Sequence, residues 1–287
     1  MNSKTKDKGS GDNLASDVVE AFGEEWARFD QSGVSDAERA RTHEGYFGIF
    51  PWNALPKDAV GADIGCGSGR WAKLTAARVP QLILLDASAQ ALDVARRNLD
   101  GVDNVKFMEA SVGNLPFETG SLDFAYSLGV LHHVPDTRAA VREIARVLKP
   151  GAPFLVYLYY ALDNRAWWYR LLWRLSDPFR RVISSLPYWL KHAVCDVIAL
   201  TVYWPLVSMA RLAEKLGFNG DAWPLAYYRD KSFYSMRTDA LDRFGTRLEQ
   251  RFSREEIRGL LEAGGFRDVI FSDKPPYWCA VGFRSRG

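Results

Sequence analysis

Asp63 stands just ahead of Gly65, Gly67 and Gly69, three glycines at alternate positions, and a second carboxylate, Asp86, closes the next apolar run. Glycine tolerates positive φ and carries no Cβ, so such a loop lets a ligand lie against bare backbone. Asp86 follows ~20 residues beyond the loop, the spacing of a carboxylate that grips a ribose diol. The register excludes a nicotinamide fingerprint, G-x-G-x-x-G, because the residue three after Gly67 is Arg70. Asp63 would repel a pyrophosphate and suits a ligand with an ammonium group. Cys66, inside the loop, reads as a small residue facing packed backbone and not as a nucleophile.

A loop of this kind needs a strand before it and a helix after it. Apolar runs at residues 59–65, 81–87, 105–110, 122–129 and 153–160 read as strands. Helical patterns at 89–99 and 137–148 separate them, and another helix opens at 70–78. Strict alternation of the two implies a parallel sheet with helices on both faces. Near the carboxyl end, Ser253 and Glu256 form a capping box for a helix that Gly264 and Gly265 terminate. Two strands follow at 267–272 and 277–284, joined by a short loop with Pro275 and Pro276. They make an antiparallel edge hairpin, which brings the sheet to seven strands, mostly parallel.

S-adenosylmethionine (SAM) has the cationic amino acid end, the ribose and the adenine, without phosphate, that this loop suits. The chain resembles the class I SAM-dependent methyltransferases, within the ubiquinone and menaquinone methyltransferase-like group (methyltransferase type 11). The residues that carry the resemblance are Ala62-Asp-Ile-Gly-Cys-Gly-Ser-Gly69, Leu84-Leu-Asp-Ala-Ser88, Asn114-Leu-Pro-Phe117, Ser121-Leu-Asp-Phe-Ala-Tyr-Ser127, Val130-Leu-His-His-Val-Pro-Asp136 and Val147-Leu-Lys-Pro-Gly151. The resemblance implies a Rossmann-like fold. It places the methionyl end of SAM at Asp63, Gly65 and Gly67, with Cys66 beside it, and the ribose at Asp86, with Ala87 and Ser127 also bordering the cofactor. Ser111 stands where the family often has Asp, so adenine recognition here falls to apolar contacts and backbone near Ser111, Val112 and Leu128.

By the same resemblance His132, after the fourth strand, sits near the sulfonium, where a histidine either accepts a proton at neutral pH or caps the turn. Similar enzymes close the cofactor site with an amino-terminal segment. Here Phe22, Trp26 and Phe29 form one helical stripe, and residues 42–52 read as an aromatic loop in which Tyr46, with a Gly neighbour, faces the pocket as a second polar group. Tyr228, Arg229 and Arg237 are the candidates for holding a carboxylate or phosphate on the acceptor. His43 and His192 lack partners at ligand spacing, so no catalytic metal is expected.

The domain plan that follows is a disordered tail at 1–17, a helical cover at 18–56, a core at 57–160 and 238–287, and a helical insertion at 161–237 after the fifth strand. Six of the ten tryptophans lie in that insertion, and between 161 and 220 eight Lys or Arg face four Asp or Glu, a balance of +4. It leaves the carboxyl end of a strand, the side on which open α/β sheets bind ligands, so it should roof the site. The longest uncharged run, 197–210, has 14 residues including Pro205, short of the ~20 needed to cross a bilayer. Arg170, Arg174, Arg180 and Arg181 among Trp and Leu suit either an interfacial helix in peripheral membrane contact or a lid with snorkelling arginines.

A net charge of +2 gives no argument for nucleic acid, and three scattered cysteines with no leader-like start fit a cytoplasmic protein. The reading is therefore a SAM-dependent methyltransferase acting on a small, amphiphilic or anionic acceptor by in-line displacement. The alternative is a SAM-binding or structural module that has lost catalysis.

Overall fold

The computed structural model describes residues 13–218 and 223–286. Five strands run parallel, β1 Val60–Ile64, β2 Gln81–Asp86, β3 Val105–Glu109, β4 Phe124–Leu128 and β5 Pro153–Tyr157, and the last two, β6 Phe266–Phe271 and β7 Ala280–Arg284, form an antiparallel pair. The spatial order is β3-β2-β1-β4-β5-β7-β6. Chain direction across the sheet reverses between β1 and β4, so the crevice beyond their carboxyl ends is where this architecture receives ligands.

The strands are apolar on both faces because both are covered. In β2, Leu82 and Leu84 join one core with Phe124 and Tyr126 of β4, while Ile83 and Leu85 join the other with Ala125. The first core is closed by α3 Ala72–Ala76, by Leu92 and Ala95 of α4 Ala89–Asn98, and by Phe47 and Phe50 from the amino-terminal region. The second is closed by Val141, Ile144 and Ala145 of α5 Thr137–Val147 and by Ile257 and Leu261 of α10 Arg254–Ala263. The Ser253/Glu256 capping box is present as expected.

Two helices, α1 Ser16–Arg28 and α2 Asp36–Phe47, form the amino-terminal cover. Of the expected tail, residues 1–12 lie outside the described residues, and Ser16 already belongs to α1. Residues 42–47, expected in an aromatic loop, complete α2 instead, because Ser35 caps the helix by accepting from the Glu38 N–H and nothing breaks it before Gly48.

After β5 the chain builds α6 Trp167–Ser184, α7 Tyr188–Ile198, a π-helical turn at Ala199–Tyr203, α8 Trp204–Lys215 and α9 Phe233–Gly245. Both α6 and α7 pack on α9. The helix α9 runs through the expected boundary at 237, since the chain offers no breaker before Gly245. The return to the core is marked by a bridge between Tyr160 and Phe252. Asp196 of α7 takes Arg237 of α9 at 2.9 Å through both carboxylate oxygens and Arg28 of α1 at 2.6 Å, tying insertion and cover together.

Candidate functional site

A cavity of about 530 Å³ lies beyond the carboxyl ends of β1, β2 and β4, roofed by α1, α2 and the insertion. Its size is that of a small-molecule site. At its base the backbone turns through Gly65 and Gly67, both at positive φ (76° and 53°). A Cβ on Gly65 would lie 2.5 Å from the Val130 side chain, and one on Gly67 would lie 2.7 Å from the Trp26 indole. The glycines are thus required by close approach as well as by dihedral.

Asp86 ends β2 at the cavity wall. Its Oδ2 accepts the Gly67 N–H and its Oδ1 the Ser88 N–H, both at 2.9 Å. Each oxygen keeps a lone pair for a further donor. Burial raises its pKa, and the two backbone donors oppose that rise. Beside it, Ala87, Ser111, Val112 and Leu128 line an apolar slot, and the Ser111 hydroxyl accepts from the Gly113 N–H at 3.1 Å. Gly65 and Cys66 also border the cavity, and burial pushes the Cys66 thiol up, which keeps it un-ionised.

Three residues expected at the cofactor stand behind the wall. Asp63 is buried under the loop, accepts the Tyr126 hydroxyl at 2.9 Å, and has its pKa pushed by burial up to about 8. It holds the strand end, and its carboxylate does not reach the cavity. Ser127 spends its hydroxyl on the Ile64 carbonyl at 2.8 Å, and Gly67 turns its N–H to Asp86 with Trp26 over its other face.

In the cavity wall after β4 the expected histidine and its neighbour exchange places. His132 is fully buried and does not border the cavity; its ring stacks on Tyr159 at 4.0 Å, and among the described residues neither ring nitrogen has a hydrogen-bond partner. Burial drives its pKa well below the usual value, so the ring is neutral. The short 3₁₀ turn Leu131–His133 carries His133 into the cavity wall instead. His133 Nδ1 lies 2.6 Å from the Leu248 carbonyl, which can only accept, so Nδ1 carries the proton and Nε2 is the basic nitrogen. Nε2 faces Asp242 Oδ1 across 3.7 Å, and the Tyr159 hydroxyl donates to Asp242 Oδ2. Burial raises the Asp242 pKa while His133 opposes the rise.

Tyr46 does line the cavity, from α2, packed edge-on to Tyr157 and hydrogen-bonded to Tyr227. Burial holds its phenol far above the usual range, so the hydroxyl keeps its proton. Of the residues expected to meet the acceptor, Tyr228 is in the wall, whereas Arg237 is bound to Asp196 and Arg229 lies 3.7 Å from Glu214, both outside the wall.

Sequence reasoning missed several wall residues. Glu25 of α1 is buried, lines the cavity and leaves Oε1 without a hydrogen bond; burial, then the nearby Asp242, raise its pKa. The Arg70 guanidinium lies over the Trp26 ring at 5.2 Å and the Trp71 ring at 4.5 Å. Arg243 of α9 stands half-buried in the wall, 2.8 Å from Asp239. The Trp26 stripe was a signal for the cover, but nothing in sequence ties Glu25 or Arg243 to the glycine loop.

These residues fit SAM. Asp86 retains acceptor capacity for ribose hydroxyls, the Ala87–Val112–Leu128 slot offers apolar walls to an adenine, and Glu25 Oε1, without a hydrogen bond among the described residues, is an acceptor for an ammonium.

Residues 62–156 match the family model described as a methyltransferase domain. The chain is 37% identical over 131 residues to an uncharacterized methyltransferase, YcgJ, of Bacillus subtilis, covering 44% of this chain and 52% of that one, so it spans about half of that relative's length. It is 31% identical over 179 residues to a ubiquinone biosynthesis O-methyltransferase of Xanthomonas oryzae pv. oryzae, covering 56% of this chain and 75% of the relative. Among solved structures, a candidate exported protein from Bordetella parapertussis has the same fold at a TM-score of 0.51 and 17% identity, covering 88% of this chain and 71% of that one.

Proposed function

The chain belongs to the SAM-dependent methyltransferases, and on that premise we propose that it methylates a small amphiphilic acceptor held beneath the insertion. The observation that supports this reading is that one cavity gathers both sets of groups. Asp86 and the glycine loop share its wall with His133, Asp242 and Tyr159 and with the apolar Leu172, Trp173, Val202 and Leu206. When bound, SAM supplies a methyl group already activated by its sulfonium.

The work left to the protein is placement, exclusion of water and, for a protic acceptor, removal of a proton. Asp86 would hold the ribose, and Glu25 would take the ammonium of the amino acid end. The His133–Asp242 pair receives the acceptor's proton, with His133 Nε2 as its basic atom and the Leu248 carbonyl fixing the tautomer. Tyr46 and Tyr228 orient the acceptor's polar head. Arg243 and Arg251, also in the wall, balance a negative charge developing there. The apolar body lies against the insertion. A site enclosed in this way excludes a nucleic acid or protein chain, which needs an open approach.

The test is incubation of the purified protein with methyl-labelled SAM and separated fractions of a cell extract. The expected result is label in the solvent-extractable lipid fraction, dependent on His133. Label confined to water-soluble products overturns the amphiphilic acceptor, and cofactor binding without any transfer supports the inactive-module alternative.

A further inference from the structure

Large apolar side chains normally stand exposed one at a time. Here, among the described residues, all of those left exposed except Leu14, Phe233 and Ile270 lie between Trp167 and Phe218. They are arranged by helix geometry. On α6, Trp168, Leu172, Leu175, Phe179 and Val182 recur at the three- and four-residue steps of one helical face. On the run from α7 through α8, Val197, Leu200 and Trp204 keep the same steps, with Trp189 and Leu212 eight residues to either side. Phe179 is 69% exposed, Trp189 70% and Val197 58%.

The other sides of these helices are committed inward. Cys195, Ala199, Tyr203, Val207 and Ala210 are buried, Ala199, Tyr203 and Val207 in one cluster with Met236 and Ala240 of α9, and Asp196 is held by Arg28 and Arg237. Tyr188–Lys215 is a continuous helix of 28 residues with a window of mean hydropathy 1.7, long and apolar enough by those measures to cross a bilayer. This exceeds the 14-residue uncharged run read from sequence, because the helix continues across Pro205. Crossing would strip its inner face from α9 and pull Asp196 from its arginines. Lying flat would cost neither.

We propose that the outer face of α6, α7 and α8 docks on a bilayer surface bearing anionic headgroups, with the mouth of the cavity turned towards the lipid. Charge selects this occupant. Arg170 and Arg174 stand exposed along α6, Arg181 is 74% exposed at its end, and the stretch 161–220 carries +4. A second copy of the same face would set these arginines against each other, whereas anionic headgroups complement them. An apolar helical face fringed by Arg and Trp suits immersion to the headgroup boundary, about 5–10 Å deep.

The cavity supports the orientation. Leu172 and Val202 both line it and stand in the exposed face, at 55% and 44%, so its apolar wall continues into the docking surface. Val202 lies in the π-helical turn, an irregularity found often at functional sites. A lipid-dissolved acceptor would pass from bilayer to cavity along a continuous apolar path. This orientation rests on the amphiphilic-acceptor reading; the docking itself does not.

The experiment is vesicle flotation of the full chain, without cofactor, on phosphatidylglycerol and on phosphatidylcholine vesicles, paired with quenching of tryptophan fluorescence by brominated acyl chains. The wild type should float with phosphatidylglycerol vesicles, less with phosphatidylcholine, and its tryptophans should be quenched. The triple variant Leu175→Glu, Phe179→Glu, Val197→Glu retains every tryptophan and touches no cavity residue. It should lose flotation and quenching while SAM affinity by calorimetry stays unchanged. A wild type that neither floats nor is quenched overturns the proposal. So does a dimer in sedimentation that the triple variant dissociates, without vesicle binding, since the occupant would then be a second copy. Failure here leaves the methyl-transfer reading standing, and a protein that floats but transfers no methyl overturns only that reading.

Discussion

The helices α5 and α6 are both strongly two-sided and are mounted in opposite senses. In α5, Ala140, Val141, Ile144, Ala145 and Val147 are buried on the sheet while Arg138 and Arg142 lie away from that core. In α6 only Ser184 is buried, Trp168, Leu172 and Phe179 stand outside, and Asp177 and Arg180 turn inward, where Arg180 donates to the Thr246 carbonyl at 2.9 Å. Amphipathic sequence fixes that a helix has two faces; the surroundings decide which one is covered. In the sheet half the apolar face makes the core and the chemistry sits on loop tips. In the insertion the inner face makes a roof that mixes apolar side chains such as Trp173 with polar ones such as Arg180, and the apolar outer face is left for something outside the chain.

The comparison breaks if the two halves are not separable. Replacing residues 161–245 with a short linker should abolish methyl transfer while the sheet half still melts cooperatively and still binds SAM by calorimetry. Loss of all SAM binding would show that the roof is part of the cofactor half. Within the sheet half, Asp86→Ala removes two charge-assisted hydrogen bonds to a ribose, each worth about 1.5–3 kcal/mol, and should weaken SAM by ~10²-fold or more. Undiminished affinity would remove Asp86 from the site.

The two histidines sharpen the comparison, since one belongs to the cavity and the other to the core. His133→Ala should lower turnover by ~10²-fold with SAM affinity little changed, as expected when a proton acceptor is lost. His132→Ala should leave turnover nearly intact and lower the melting temperature, because its ring packs on Tyr159. The reverse pattern would restore His132 as the acceptor of the proton.

An effect on stability and not on activity concerns Asp63. Burial raises its folded pKa from 3.8 to about 8. Across that window the unfolded chain is ionised there while the folded one is protonated, so the folded state binds more protons and this group's contribution falls as pH rises. Asparagine keeps an acceptor for the Tyr126 hydroxyl and cannot ionise. In melts without cofactor, Asp63→Asn should therefore gain on the wild type as pH rises from 5 to about 8. A gain that does not grow with pH would mean that Asp63 is ionised in the fold and placed differently.

The parts legible in sequence are those fixed locally. Uninterrupted apolar runs such as residues 82–85, bounded by Pro80 and Asp86, gave strands at the observed positions, and alternate glycines followed by Asp86 located the cavity. What was not legible depends on direction in space. Nothing in Val130-Leu-His-His-Val says which histidine a 3₁₀ turn will aim at the cavity. Asp63 lies close to Gly65 in sequence, yet the pleat of β1 turns it under the loop, towards Tyr126. Glu25, Asp242 and Arg243 come from helices distant in sequence and meet only because α1 and α9 wall the same cavity.

A crystal structure with S-adenosylhomocysteine, the demethylated cofactor, tests the account most directly. The ribose hydroxyls should lie on Asp86, the adenine between Ala87, Val112 and Leu128, and the sulfur should point along the cavity towards His133 and the insertion. A ligand whose sulfur faces away from the insertion, or whose ribose leaves Asp86 bonded only to Gly67 and Ser88, would contradict it.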